Sequence, residues 1–291
     1  YSSVVSWYRM GDGDTFPTIS DNKGSNDGTM TNMTSGDIET DVPTAFTNTK
    51  SLIFDGVNDI LKIKDSTTAP TEYQGLGNAN SYSISFWMKS TDANASSIYW
   101  YSNSTMIEIR TQTSSGTHAP FSIGLKSGSV FFGRTSNQLT GSESFTSTDT
   151  VNDGNWHHVV CTVNDVTLKF YIDGSLDSTK TFVTATGDCS VGTTAVNFQI
   201  GARTTNSGGY TAYYEGSLEE VSFFDTELSS TNVTAIYNSG VPNNISGYPD
   251  LIGWYRMGDG DTYPTIQDNK GSNDATMTNM ASDDIQTDVP S

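Results

Sequence analysis

The 291-residue chain holds 33 acidic and 14 basic residues, a formal net charge of −19, which repels nucleic-acid backbones and anionic lipid surfaces. Charged residues make up only 16 %, so the polarity comes mainly from Ser, Thr, Asn and Gly, a composition that suits strands and turns and disfavours long helices. No run of about 18 apolar residues reads as a membrane span, and the lack of an initiating Met or signal peptide reads as a chain cut from a longer product.

The chain opens on "SWYRMGDGDTFPTISDNKGSNDGTMTNM". Within it, the loop "SDNKGSNDG" gathers Asp21, Asn22, Asn26 and Asp27 around Gly24 and Gly28. Calcium takes six to eight oxygen ligands, and glycines let a short loop turn its carbonyls inward, so these residues are candidate calcium ligands. The same residues equally spell an Asx-turn loop with solvated carboxylates. The twelve-residue EF-hand pattern is absent.

From residue 51 onward short runs alternate with period two between Gly, Asn, Asp and Ser clusters: "SLIFDGVNDILKIK", "YSISFWMKS", "SSIYWYS", "TMIEIRT", "FSIGLKSGSVFFGR", "NWHHVVCTVNDVTLKFYIDGSL", "NFQIGAR" and "GSLEEVSFFD". These predict about a dozen antiparallel strands. The Asn164-Asp165 and Asp173-Gly174 pairs predict tight hairpin turns. The core candidates are Trp7, Phe54, Ile84, Phe86, Trp87, Trp156, Val160, Phe170, Ile172, Phe198, Ile200, Val221 and Phe223. Alternation puts Ile84 and Phe86 on one face of their strand and Trp87 on the other, which a loop must then cover. One segment, "TELSSTNVTAIYNSG", predicts a short helix with an N-cap at Ser229 or Ser230, Val233, Ile236 and Tyr237 at helical spacing, and Gly240 as its stop.

After the turn-rich "VPNNISGYPD", the opening text returns as "GWYRMGDGDTYPTIQDNKGSNDATMTNM". Trp7 recurs as Trp254, Asp12 as Asp259, Asp21 as Asp268, Asn26 as Asn273 and Pro43 as Pro290, a constant offset of 247 (254 − 7). A gapless, lightly changed copy predicts duplication of a whole unit. The expected organisation is a β-sandwich over residues 1–240, a linker over 241–251, and the N-terminal portion of a second tandem copy over 252–291. The alternative is an internal repeat within one fold.

Among groups with chemistry, Glu108, Glu143 and Glu215 stand alone in the sequence, and the adjacent Glu219 and Glu220 are expected on opposite sides of a strand. Glycoside hydrolysis needs two carboxyls flanking one bond, so no enzyme is expected. His157 and His158 likewise diverge on a strand and read as packing. Aromatic loops are the better lead: "SSIYWYSNS" and "TNSGGYTAYYEG" put Tyr99, Trp100, Tyr101, Tyr210, Tyr213 and Tyr214 near Arg203, a mix of apolar rings and polar groups that suits stacking against sugars. The same rings also suit core or inter-module contacts. Cys161 and Cys189 read as one bridge or two thiols.

Taken in order, "VSWYRMGDGD…ISDNKGSNDGTM", "SLIFDGVNDILKI", "YSISFWMKS", "WHHVVCTVNDVTLKFYIDGSLDS", "FQIGAR" and "GSLEEVSFFDTELSSTNVTAIYNSG" resemble the laminin G-like, concanavalin A-like domain family over residues 5–240. The resemblance implies an all-β, two-sheet antiparallel jelly-roll sandwich with one short helix near the C-terminal end of the domain. It also implies a structural Ca2+ ion, with Glu219 or Glu220 closing a coordination sphere begun by the first loop, although many relatives have Asp at the first of these positions. Carbohydrate or protein ligands at rim loops are the implied partners. Tandem modules with this wording are similar to those of structural or adhesive proteins of marine bacteriophages. The expected function is therefore a non-enzymatic structural or adhesive module of a multi-module extracellular or virion-surface protein, with cell-surface glycan and neighbouring copies of the module as partners. The alternative is a purely architectural subunit that forms a filament by packing or strand exchange.

Overall fold

The alternating runs become antiparallel strands in a computed structural model of the protein, which describes residues 3–38, 46–68, 70–73, 76, 81–93, 103–113, 116–135, 143–183, 195–205 and 208–291. The chain divides into two compact units, Tyr1–Phe46 and Thr47–Ser291.

The first unit contains a two-stranded ribbon, β1 (Thr18–Ile19) and β2 (Gly28–Thr29), with Thr18 opposite Thr29. Carboxylates organise it from within. Asp14 accepts from the N–H groups of Gly11 and Ser20, both at 2.8 Å. Its apolar side chains are left outside: Trp7 is 57 % and Met10 76 % exposed.

The second unit is the sandwich. Its strands are β3 (Ser51–Asp55), β4 (Ile60–Thr68), β5 (Ser81–Lys89), β6 (Ser104–Thr113), β7 (Gly116–Lys126), β8 (Ser129–Thr135), β9 (Glu143–Thr150), β10 (Trp156–Asn164), β11 (Thr167–Ile172), β12 (Ser175–Thr181), β13 (Ala195–Ile200), β14 (Arg203–Thr204), β15 (Tyr210–Thr211) and β16 (Glu215–Phe224). Helix α1 (Ser230–Tyr237) follows, and then β17 (Leu251–Tyr255), β18 (Thr265–Ile266), β19 (Ala275–Thr278) and β20 (Ile285–Gln286). One sheet runs β12-β11-β10-β5-β16-β3-β20, with β17 also on β16; the other runs β18-β19-β4-β13-β6-β7-β8-β9. Among the described residues every strand pairing is antiparallel, as the jelly-roll expectation requires. The inner faces meet in one core that includes Phe54, Ile84, Phe86, Phe170, Phe198 and Phe223.

Local predictions resolve in detail. The β11–β12 turn sits at Asp173-Gly174, both with positive φ (48° and 75°), as the two-residue hairpin turn demands. The β10–β11 turn falls one residue later than expected, because Asn164 pairs with Thr167 and leaves Asp165-Val166 as the loop. Ser229 caps α1 by accepting from the Asn232 N–H at 3.1 Å, and Asn238 ends it in the left-handed region (φ 47°), two residues before Gly240. Trp87 is buried on the outer face of β5, covered by the ring of Tyr237 from α1 at 5.7 Å.

The expected domain bounds need correction. The sandwich comprises Thr47–Ser291, not 1–240, and residues 252–291 are part of its core. Segment 241–251 is no free linker, since Ile245 and Leu251 are buried in it. Trp7, a core candidate, is exposed, whereas its copy Trp254 is only 4 % exposed. The physical reason is the apolar face of the repeat. Tyr255, Met257, Ile266, Ala275, Met277 and Met280 all enter the core, and burying a large apolar side chain contributes roughly 1.5–3 kcal/mol. The segment also covers two exposed backbone edges, β20 pairing with β3 and β19 with β4, which removes templates for aggregation.

Candidate functional site

The first candidate is the "SDNKGSNDG" loop. The structure brings Asp21 and Asp27 together, but for a local purpose. Asp21 Oδ1 accepts from the N–H groups of Trp7 (3.0 Å), Lys23 (3.1 Å) and Gly24 (2.9 Å), while Asp27 Oδ1 accepts from the Asp21 N–H at 2.9 Å. These N–H groups, that of Gly24 foremost, hold the Asp21 carboxyl well below the usual carboxylate range. Asn22 turns its amide onto the Ser20 carbonyl, and the Asn26 carbonyl accepts from the Tyr8 hydroxyl at 2.6 Å. The copy repeats the pattern, with Asp268 accepting from Trp254, Lys270 and Gly271. A loop whose carboxylate is wrapped by N–H dipoles presents the wrong ends of those dipoles to a cation, so these residues are a poor fit to calcium. Among the described residues no group of three or more His, Cys, Asp or Glu is arranged to hold a metal.

Glu219 belongs instead to a buried cluster on the outer face of the first sheet, the side of its cross-strand partner Trp87. The expectation that Glu219 and Glu220 point to opposite sides is overturned by a β-bulge. Glu220 has φ 51°, and the β16–β5 register shifts between Glu219 and Ser222. A bulge re-aims side chains, and here both carboxyls are buried in contact. Glu220 accepts from the Trp254 indole N–H and from Arg256 Nε (3.1 Å). Arg256 also lies 3.6 Å from Asp259, which accepts from the Thr49 N–H (2.9 Å) and hydroxyl (2.7 Å). Burial, reinforced for Glu219 by the neighbouring Glu220 charge, raises both acids, Glu220 to about 7 and Glu219 well above the carboxylate range. Two such carboxyls cannot both ionise in a dry pocket. Glu219 is therefore the neutral acid and Glu220 the partner of Arg256. At 0 % and 5 % exposure the pair has no access to a substrate; it clasps the repeat to the sandwich.

The second candidate lies on the outer face of the other sheet. Cross-strand pairing aligns Lys62, Gln199, Glu108 and Ser122 in one row over β4, β13, β6 and β7. Glu108 Oε2 accepts from Gln199 Nε2 (3.0 Å) and from the Thr204 N–H (2.8 Å). Arg203 Nε lies 3.8 Å and Arg110 Nη1 4.0 Å from Glu108 Oε1, and Arg110 donates to the Thr204 carbonyl at 3.0 Å. Burial pushes the Glu108 carboxyl up, against the pull of both guanidiniums. Lys62 Nζ stands 5.1 Å from the centre of the Tyr210 ring. Two sequence-predicted residues, Arg203 and Tyr210, are thus brought to one face, half-buried at its rim. Tyr213 is half-buried too, and its carbonyl accepts from Ser104 at 3.3 Å, whereas Tyr214, expected among the loop rings, is fully buried in the core. Tyr99, Trp100 and Tyr101 lie outside the described residues. Among the described residues the groups that meet Glu108 are cations and neutral polar groups, none of them a carboxylate. Arg110, Gln199 and Lys62 were missed, although polar residues at alternate positions of "IEIR" and "NFQI" mark a polar outer face of buried strands.

The histidines diverge. His157 bridges Asp173 (2.9 Å) and Asp153 (3.1 Å), whereas His158 is buried on the Ser85 hydroxyl at 2.8 Å, and burial pushes it down to about 3. Cys161 is a buried free thiol; Cys189 lies outside the described residues.

A family model described as the concanavalin A-like lectin/glucanases superfamily, Laminin_G_3, matches residues 61–234. No curated protein matches the chain in sequence. Solved structures similar to it include a protein of Bacteroides ovatus assigned to carbohydrate binding, at 16 % identity and TM-score 0.55, covering 84 % of this chain and 62 % of that one. The chain thus spans under two thirds of that protein's length. The heptameric SAP-like pentraxin of Limulus polyphemus aligns over 82 % of this chain and all of its own, at 16 % identity and TM-score 0.49. Domain 4 of AbnA, an extracellular arabinanase of Geobacillus stearothermophilus, solved with arabinotriose, aligns over 64 % of this chain and 76 % of its own, at 17 % identity and TM-score 0.43. At such identities the likeness is one of fold.

Proposed function

Because the chain belongs to the concanavalin A-like lectin/glucanases superfamily, we propose that its sandwich is a non-catalytic carbohydrate-binding module of a multi-module extracellular or virion-surface protein. The observation that carries this reading is the half-buried rim of the second sheet's outer face, where Arg203 and the Tyr210 ring stand beside a polar row, Glu108, Gln199 and Ser122, that is itself fully buried. A sugar is held by an aromatic face together with a few fixed polar groups. Glu108 and Gln199, both fully buried, do not reach a ligand; they are fixed by their mutual hydrogen bond and help to hold the Arg203 guanidinium, which with the Tyr210 ring supplies the accessible contacts. Catalysis does not follow from this set. Glycoside hydrolysis needs a second carboxyl across the bond, and the described groups that meet Glu108 are two guanidiniums, an amide, a hydroxyl and an N–H. Copies of the module on one chain would raise effective concentration and turn weak sugar contacts into avidity. The net charge of −19 argues against nucleic acid as the partner, and no helix among the described residues is long and apolar enough to cross a membrane.

A glycan array followed by calorimetry tests the reading. Tyr210→Ala is expected to weaken binding of the best glycan at least tenfold without moving the melting temperature, and Arg203→Lys, which keeps a cation beside the buried Glu108, to weaken it by a similar factor. Binding to no glycan on the array, or binding indifferent to both substitutions, removes it.

An architectural role is the second reading. It is favoured by the uncovered apolar face of the first copy, whose counterpart is core in the second.

A further inference from the structure

Two nearly identical segments meet different fates in this chain. In residues 251–286 the side chains of Tyr255, Met257, Ile266, Met277, Met280 and Ile285 pack into or against the sandwich core. Their counterparts Tyr8, Met10, Ile19, Met30, Met33 and Ile38 line an open groove on the first unit. The first copy is nonetheless already folded in the seated form. Trp7 N–H to Asp21 is 3.0 Å against 3.1 Å for Trp254 to Asp268. The Tyr8 hydroxyl to the Asn26 carbonyl is 2.6 Å against 2.7 Å for Tyr255 to Asn273. The Met30 N–H to the Pro17 carbonyl and the Met277 N–H to the Pro264 carbonyl are both 2.8 Å. The face is thus preformed, which lowers the ordering cost of docking. Its polar groups match as well. Arg9 pairs with the exposed Asp12, while the equivalent Arg256 and Trp254 satisfy Glu220 and the equivalent Asp259 takes the Thr49 N–H.

We infer that residues 3–38 form a docking segment whose partner is a second copy of the sandwich formed by residues 47–247. Transposing the seated register by 247 puts Trp7 opposite Ser222, Thr29 opposite Lys62 and Ile38 opposite Leu52 of that second copy. This rests on the architectural reading and is independent of any sugar.

One position makes the seat selective. Gly253 passes so close to Tyr73 that a Cβ there would overlap the Tyr73 hydroxyl. The first copy carries Ser6 at that place. The groove of residues 47–247 is therefore held by the better-fitting 251–286 segment, and the first copy enters a groove that this segment has left, with the end of the Tyr73 ring giving way.

The test mixes two full-length chains. The acceptor carries Tyr255→Asp and Met257→Asp, which unseat its own segment, and Tyr8→Asp and Met10→Asp, which disable its first copy. The donor is the unaltered chain. Light scattering behind size exclusion should show a 1:1 complex, lost when the donor carries Tyr8→Asp and Met10→Asp, and at least tenfold tighter when it carries Ser6→Gly. No complex, or one indifferent to the donor substitutions, overturns the inference. Should the acceptor fail to fold, a milder pair replaces it: Gly253→Ser with Lys62→Cys in one chain, Ser6→Gly with Thr29→Cys in the other. A disulfide between the two chains is expected, and its absence overturns the inference. Loss of glycan binding changes neither outcome.

Discussion

Replacing Glu219 with Gln should make the protein more stable above neutral pH. Glu219 is fully buried beside Glu220, and neither of its oxygens accepts an N–H or O–H hydrogen bond. The folded state therefore holds a proton that the unfolded chain releases above its ordinary pKa of 4.5. A carboxyl raised on folding contributes stability that is complete below its unfolded pKa and is lost as pH rises toward the folded value. A tenfold change in a protonation equilibrium corresponds to about 1.4 kcal/mol. For Glu220, raised from 4.5 to about 7, the loss across that window is about 3 kcal/mol. Glutamine keeps the shape of the protonated acid, its amide can donate to Glu220, and it needs no proton. At pH 8 the variant should melt at least a few degrees above the parent, because the introduced glutamine has no proton to lose while the Glu220 loss remains in both, whereas at pH 5 the two proteins should melt at nearly the same temperature. Calorimetric melts from pH 4.5 to 8.5 decide it. Parallel pH profiles for the two proteins would refute the shared-proton account.

Met257→Ala should cost about 2–5 kcal/mol in urea unfolding of the sandwich, as a large-to-small core change does, while the same change at its copy, Met10→Ala, should cost under about 0.5 kcal/mol; equal effects would contradict the seating of the second copy. Excess chelator should leave the melting temperature unchanged, since the Asp21 and Asp268 loops aim N–H groups at their own carboxylates; a drop of several degrees would restore calcium to one of them. Gly174→Ala should destabilise by more than about 1 kcal/mol, because φ is 75° and the added Cβ would meet the Tyr237 ring at 2.6 Å; an unchanged melt would show that the β11–β12 turn and α1 are not in contact.

The sandwich was legible because alternation is a local property. "YSISFW" and "TLKFYI" announce strands wherever they pair, and Ser229 announces a cap from its immediate neighbours. The placement of the repeat was not, since nothing within residues 252–291 says whether their apolar face meets strands before or after them. Tyr8 and Tyr255 have the same sequence neighbours on their C-terminal side and differ in burial only through what lies across the groove. The pairing of Glu219 with Glu220 was hidden by one backbone angle, the positive φ at Glu220, which reverses the parity on which side-chain alternation depends. The row of Lys62, Gln199, Glu108 and Ser122 spans four strands, so no single window contains it, although Arg203 and Tyr210 signalled its rim.

The sandwich is entered at β3 and left at β20, and these are neighbours: Ser51 lies opposite Gln286, and the Ser51 hydroxyl bonds the Asp288 carbonyl at 2.6 Å. Antiparallel hydrogen bonds run perpendicular to the strands, so tension applied through the flanking chain loads this pair from one end. It opens bond by bond, as a zip does, instead of resisting in shear. Under load the closing segment peels away first, and the slack it releases comes before any loss of the remaining sheets.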